Sequence, residues 1–340
     1  MNVPPSWQSR ALVGVMRLYG YRRKKVVSGY YGVRKALERA GQRLRPAPDV
    51  RWAPVDAGGV PGEWVTVPGV DETRAVLYLH GGGYVGGSAM SHRNITGELS
   101  RATRTRVLAI DYRLAPEHLF PAAVDDAVAA YTWLLGQGIP AARLAVGGDS
   151  AGGGLTVATL LALRERGLPN PAAGVCLSPW VDLEGLGGTI TTHAHLDPML
   201  VPAGIGVCAR HYAGQDGDLR NPLISPIHAT PAALGALPPL LVQVGGYEVL
   251  LDDAVRLVDR VRAAGGQAEL EVWERMIHVW QIFRFLPEAR RAIDRLGGFI
   301  RRHMDQAVAS GLSARRPADV DGVDGVDGVD DEGEAARKDR

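Results

Sequence analysis

The chain has 340 residues, is 46% hydrophobic and 22% charged, and carries a net charge of +1. It is long enough to bury one large core or two modest ones, and its charge balance offers no electrostatic case for nucleic acid or for an anionic membrane. Two cysteines, Cys176 and Cys208, cannot make a disulfide framework, and no run approaches the roughly 20 apolar residues that span a bilayer. In apolar surroundings these thiols fit a reducing, cytoplasmic setting, with a single bridge between them as the lesser alternative. Residues 5 to about 44 have apolar side chains at helical spacing and end before Pro46 and Pro48, so one or two helices are expected there, forming part of a cap (residues 1–50). The apolar stretch Ala11 to Tyr19 is broken by Arg17 and followed, not preceded, by Arg22-Arg23-Lys24-Lys25. That order is wrong for a signal peptide, and a surface-binding helix is the minor alternative.

A hairpin is expected over Arg51 to Val67 with its turn at Gly58-Gly59. From Ala75 the pattern alternates. Strands are expected near 75–80, 106–111, 143–147, 173–178, 239–245 and 268–273, and helices near 92–102, 121–137, 151–166, 252–265 and 288–304. Continuous apolar strands between amphipathic helices predict a mostly parallel, doubly wound α/β sheet covered on both faces, with ligands at the carboxyl edge. The core then comprises residues 51–182 and 238–305. Residues 183–237 break the alternation and are expected to form a cap insert over that edge.

Two glycine motifs fall on the same edge. The strand Ala75–Leu79 runs into His80-Gly81-Gly82-Gly83-Tyr84, whose glycines free the backbone to approach a ligand. The strand ending at Gly147 runs into Gly148-Asp149-Ser150-Ala151-Gly152 and then an apolar helix. A serine between small residues at a strand-to-helix turn is the geometry of a nucleophile elbow; a helix N-cap serine is the bland alternative. The amides of Gly82, Gly83 and Ala151 are the candidate oxyanion donors. A serine nucleophile needs a base and an acid, in the chain order Ser, acid, His. Only His278 and His303 follow the last strands; His278 sits on a loop after the final one, whereas His303 lies among charged helical residues. For the acid, Glu248 follows a strand past Gly245-Gly246, and Asp252 one turn later is the alternative.

These motifs, together with Asp111-Tyr112-Arg113-Leu114-Ala115-Pro116-Glu117, resemble the hormone-sensitive-lipase-like carboxylesterases of the α/β-hydrolase superfamily from about Val65 to Arg301, and the segment from Ser178-Pro179-Trp180 to Val244-Gly245-Gly246 resembles the actinobacterial esterases of that family. The resemblance implies an α/β-hydrolase fold with a helical cap and a serine carboxylesterase acting on short- to medium-chain esters or lactones, with no cofactor and no metal. At the position of Glu248 the family's usual residue is aspartate, so this chain departs by one methylene. Two other classes stay open: a different serine hydrolase (amidase or peptidase), and a non-catalytic small-molecule receptor on the same fold, against which the retained His278 argues.

Other residues carry plainer expectations. Asp149 is expected to hydrogen-bond within the elbow, His80 to anchor the oxyanion loop, and Glu117 to make a structural ion pair. Tyr84, Trp180, Met199 and Trp280 are candidate pocket walls, and any one of them fits a place in the core equally well. His193-Ala194-His195 with Asp197 has metal-ligating residue types, but in a cap loop such a pair is ordinarily structural. Residues 306–340, with their Asp-Gly-Val repeat, cannot bury a core and are expected to be disordered; the spacing also lacks the pattern of an EF-hand loop. The expected partner is a small ester, with room for a homodimer.

Overall fold

Two helices open the chain, α1 (Trp7–Arg23) and α2 (Gly29–Arg43), in a computed structural model that describes residues 5–23 and 29–311. A hairpin follows, β1 (Arg51–Asp56) and β2 (Pro61–Thr66), turning through Gly58 and Gly59, both at positive φ. The alternation is then β3 (Asp71–Leu79), α3 (Arg93–Thr103), β4 (Thr105–Ile110), α4 (Ala122–Gly136), β5 (Leu144–Asp149), α5 (Ala151–Glu165) and β6 (Ala173–Leu177). An insert with α6 (Thr189–Thr192), α7 (Pro202–Ala213) and α8 (Pro231–Gly235) precedes β7 (Leu240–Gly245), α9 (Leu251–Ala263), β8 (Ala268–Trp273) and α10 (Pro287–Ala309).

The eight strands form one sheet in the order β1-β2-β4-β3-β5-β6-β7-β8, parallel except for β1 and β2. Every residue of β5, β6 and β7 is buried, because helices cover both faces and a strand between two apolar layers must be apolar on both sides. One core layer packs α4, α5 and α9 against the sheet, and the other packs α3 and α10 through Ile95, Leu99, Leu296, Phe299 and Ile300.

Connections run one way from β3 to β4 and the other way to β5, so the chain reverses direction at the β3–β5 boundary. That is where a crevice opens beyond the strand ends. Leu79 pairs with Gly148, which sets the His80–Tyr84 loop and the Ser150 turn side by side.

The final helix runs past the expected end of the core at residue 305. Met304 and Ala307 remain buried because the apolar spacing of α10 continues through them, so residues 306–309 continue that helix and do not begin a disordered tail. The remainder of the expected tail, 312–340, lies outside the described residues. The insert holds no strand among its described residues, and its two ends meet where His228 Nε2 approaches Glu184 Oε2 at 2.8 Å.

Candidate active site

Ser150 adopts φ 55°, ψ −120°, a conformation that L-residues rarely hold and that persists only when its surroundings fix it. They do so by three hydrogen bonds: Ser150 N donates to Leu177 O (2.8 Å), and Ser150 O accepts from Trp180 N (3.0 Å) and Gly154 N (3.1 Å). Gly148 and Gly152 are required by contact, since a Cβ on either would strike the Leu79 carbonyl. The turn therefore presses against β3 and lifts the hydroxyl off the sheet.

Ser150 Oγ lies 2.9 Å from His278 Nε2, and His278 Nδ1 lies 2.8 Å from Glu248 Oε2. Glu248 is fully buried, and its other oxygen accepts hydrogen bonds from Gly245 N (2.6 Å) and Ser178 Oγ (2.7 Å). Both oxygens are thus fixed, which is how the longer side chain is held at one orientation. Burial works against protonated His278, but the Glu248 hydrogen bond and charge, then the Asp197 and Asp149 charges, outweigh it and hold the imidazole above its ordinary value.

Asp252 is not in this chain of contacts. Its Oδ2 accepts from Thr189 N (3.0 Å) and so ties the insert to α9, whereas Asp253 Oδ2 accepts from Val181 N and Asp182 N (both 2.9 Å), the last core residues before the insert. Burial pushes the Asp253 carboxyl up to about 7. His303 lies on α10, where its ring packs on Phe299.

Gly82 and Gly83 have φ of 127° and 65°, and a Cβ on Gly82 would collide with the Gly86 carbonyl. The loop closes on itself through Val85 N and Gly86 N, which both donate to Gly82 O. Ala151 is the first residue of α5, a position whose amide has no intrahelical acceptor. Backbone amides beside a helix N-terminus are the kind of donor that a developing oxyanion needs.

Asp149 braces this loop from behind. Its Oδ1 accepts from Tyr78 Oη (2.7 Å) and Gly81 N (3.1 Å) and lies 3.4 Å from His92 Nε2. Burial alone would raise the Asp149 carboxyl, but the His92 charge and the hydrogen bonds from His92 and Tyr78 hold it below its ordinary range. His80 stacks on Tyr112 (4.2 Å between centroids), its Nδ1 is 2.9 Å from Gly81 O, and burial, with His92 nearby, drives it down to about 3. It is therefore neutral. Glu117 pairs with Arg34 of α2 at 2.5 Å, and Arg34 also donates to Val85 O and Ala115 O, fastening the cap to the glycine loop.

The four candidate pocket residues split into two groups. Tyr84 and Trp180 are buried near the glycine loop, where Tyr84 stacks on Tyr212 at 3.8 Å. Trp280 is wholly buried under α1 in a cluster that also takes Met199, beside Trp273, so it is core with no face open to a ligand. A concavity of about 440 Å³ between β8 and the start of α10 holds none of the candidate catalytic residues.

Asp197 is not joined to His193 or His195 in a metal-ligand grouping. Its carboxylate accepts from Met199 N, Leu200 N and Val249 N, and so holds the loop beside Glu248. The grouping of metal-ligating types found among the described residues is Asp182, Glu184 and His228, where Arg256 already occupies Asp182 at 2.6 Å. Cys176 and Cys208 are both free thiols.

Sequence reasoning missed Ser178. It has φ 47°, donates to Glu248, and accepts from Val279 N (3.1 Å), the residue after His278. Ser178-Pro179-Trp180 takes part in the resemblance, but nothing in it assigns the serine a role; only the arrival of two distant loops on its hydroxyl reveals one. His92 was missed for the same reason.

The comparisons agree with this architecture. Residues 76–282 match the family described as alpha/beta hydrolase fold. An acetyl-hydrolase of Streptomyces hygroscopicus is 47% identical over 269 residues, covering 78% of this chain and 87% of the relative. The esterase LipU of Mycobacterium tuberculosis is 36% identical over 283 residues, covering 78% and 91%. A crystal structure of an esterase from the bacterial hormone-sensitive lipase family superposes with a TM-score of 0.83 at 46% identity, covering 89% of this chain and 100% of that one. The chain belongs to the α/β-hydrolase-fold family, among the hormone-sensitive-lipase-like esterases, and is a carboxylic ester hydrolase.

Proposed function

We propose that this carboxylesterase works through an acyl-enzyme on Ser150. His278 takes the Ser150 proton at Nε2 as Oγ attacks the ester carbonyl, and the amides of Gly82, Gly83 and Ala151 hold the tetrahedral oxyanion. His278 then protonates the leaving alkoxide, and Glu248 fixes the imidazole tautomer and stabilises the imidazolium. Water enters by the same route and frees the acid. No step calls for a cofactor or a metal. The observation that carries this reading is the unbroken line of contacts Ser150 Oγ–His278 Nε2 at 2.9 Å and His278 Nδ1–Glu248 Oε2 at 2.8 Å.

The preferred substrates are short- to medium-chain esters. Stacked Tyr84 and Tyr212 with Trp180 fill space beside the glycine loop, which favours a small acyl group. Relatives point the same way: one is named an acetyl-hydrolase, and a structural neighbour at 42% identity was soaked with p-nitrophenyl butyrate. The free thiols support a cytoplasmic location.

A series of aryl esters from acetyl to decanoyl, run with the parent and Ser150→Ala, tests both parts. Ser150→Ala is expected to lose turnover by several orders of magnitude with an unchanged circular dichroism spectrum. Retention of a tenth of the parent rate would remove Ser150 from the mechanism. A rate that rises towards decanoyl would remove the small acyl site.

A further inference from the structure

Helix α1 is apolar on two opposite faces. Leu12, Val13 and Met16 turn inward onto Met276, Ile277, Trp280 and Leu286. The other face sets Trp7, Ala11, Val15 and Leu18 in one line at spacings of four, four and three residues. This line is open: Trp7 is 75% exposed, Val15 54% and Leu18 61%, and Tyr31 on the neighbouring α2 is 67% exposed. A helix whose outer face meets only water carries polar residues there.

Charge distribution adds a second, independent observation. Residues 1–45 contain eleven Lys and Arg and one acidic residue, Glu38. The near-zero charge of the whole chain conceals this, because residues 319–334 hold eight acidic residues and no basic one. Glu38 is itself engaged by Ser88 Oγ at 2.8 Å. Helix α1 has no acidic side chain, and Arg10 stands exposed at the border of the apolar line.

We propose that the outer face of α1 is a docking surface for an anionic lipid surface, which the helix lies on and does not cross. Trp7, Val15 and Leu18 would sink to the boundary between headgroups and acyl chains, and Arg10, with the exposed Lys35, Arg39 and Arg43 of α2, would supply positive charge for the anionic headgroups. A nucleic acid would use the cations but gain nothing from a line of exposed aliphatic side chains. A second copy would place two strongly cationic layers face to face, which self-repulsion opposes. The inner face of α1 packs on Met276, Ile277 and Trp280, on either side of His278, so docking would hold that segment close to the lipid surface.

The test is sedimentation of the full chain with phosphatidylcholine vesicles, with and without phosphatidylglycerol, at low and high salt. Binding is expected only with phosphatidylglycerol and should weaken as salt rises. The double variant Trp7→Ser, Leu18→Ser is expected to lower partitioning by about tenfold or more while soluble aryl ester turnover and circular dichroism stay unchanged. Arg10→Glu should lower it further. Equal binding to neutral vesicles, no binding by the parent, or a double variant that binds like the parent would each overturn the proposal. So would size-exclusion data in which the double variant converts a dimer to a monomer, or retention of a DNA fragment in place of vesicles.

Discussion

The β3–β5 corner and the cap are built by different rules. At the corner, backbone atoms touch: Ser150 sits at φ 55°, Gly82 at 127°, and Gly148 and Gly152 abut the Leu79 carbonyl. Few residue types satisfy such positions, so the corner has a narrow sequence. The cap is held mainly by side chains, as with Arg34 on Glu117 and Val13 in the α1 cluster, with Gly41 against Ser91 as a close backbone contact, and many sequences could serve at the side-chain contacts. Steric necessity leaves a motif behind; generic packing does not.

Breaking a corner contact should therefore cost far more than breaking a cap contact. The largest effect is expected at Gly152→Ala, whose Cβ would enter the Leu79 carbonyl. The elbow cannot yield without moving β3, and a loss of about 3 kcal/mol or more is expected, read by denaturant unfolding. Normal stability in that variant would mean the turn is loosely held.

Next comes Glu248→Gln, expected to lower kcat by about a hundredfold or more through loss of the tautomer and of the imidazolium's partner. Its pH profile sharpens the test. Activity needs neutral His278, so the parent's acid limb of kcat/KM should fall above the ordinary histidine value of 6.5. Without the Glu248 charge, burial dominates, and the limb should move to lower pH. Asp252→Asn, which touches only the insert, should leave kcat and the limb in place. The reverse pattern would move the acid to α9.

Ser178→Ala should be intermediate, lowering kcat about tenfold with little change in KM, since the hydroxyl orients Glu248 and the segment after His278. If Ser178 acts through Glu248, the same change in a Glu248→Gln background should cost little, and additive losses would contradict that. The smallest effect is expected in the cap. Arg34→Ala removes a part-exposed ion pair and two backbone contacts, for about 1 kcal/mol in thermal unfolding and under a twofold change in kcat.

The same contrast explains what the sequence made legible. Buried parallel strands read as unbroken apolar runs, so all six alternating strands are legible to within a few residues, and the two glycine motifs mark the carboxyl edge, whereas the reversal at the β3–β5 boundary comes from the fold. Chain order leaves His278 and His303, of which only His278 stands on a loop at the sheet edge, and it leaves Glu248 and Asp252 open, because both are acids just after β7 and only the fold decides which faces the imidazole. Ser178 and His92 were invisible, since each works through a contact between loops far apart in sequence. Trp280 fits pocket or core equally well by sequence, because an aromatic near a site looks the same either way, and its full burial in the α1 cluster is what sets it in the core. Net charge also misled, since opposite runs at the two ends cancel in the sum.

The central claim is that Ser150 is the nucleophile activated by His278. Intact-mass analysis of the full chain after treatment with a fluorophosphonate ester, followed by peptide mapping, tests it most directly. The account predicts one adduct per chain, on the peptide containing Ser150, absent in Ser150→Ala and strongly slowed in His278→Ala. An adduct on another residue, or labelling that persists in Ser150→Ala, would contradict it.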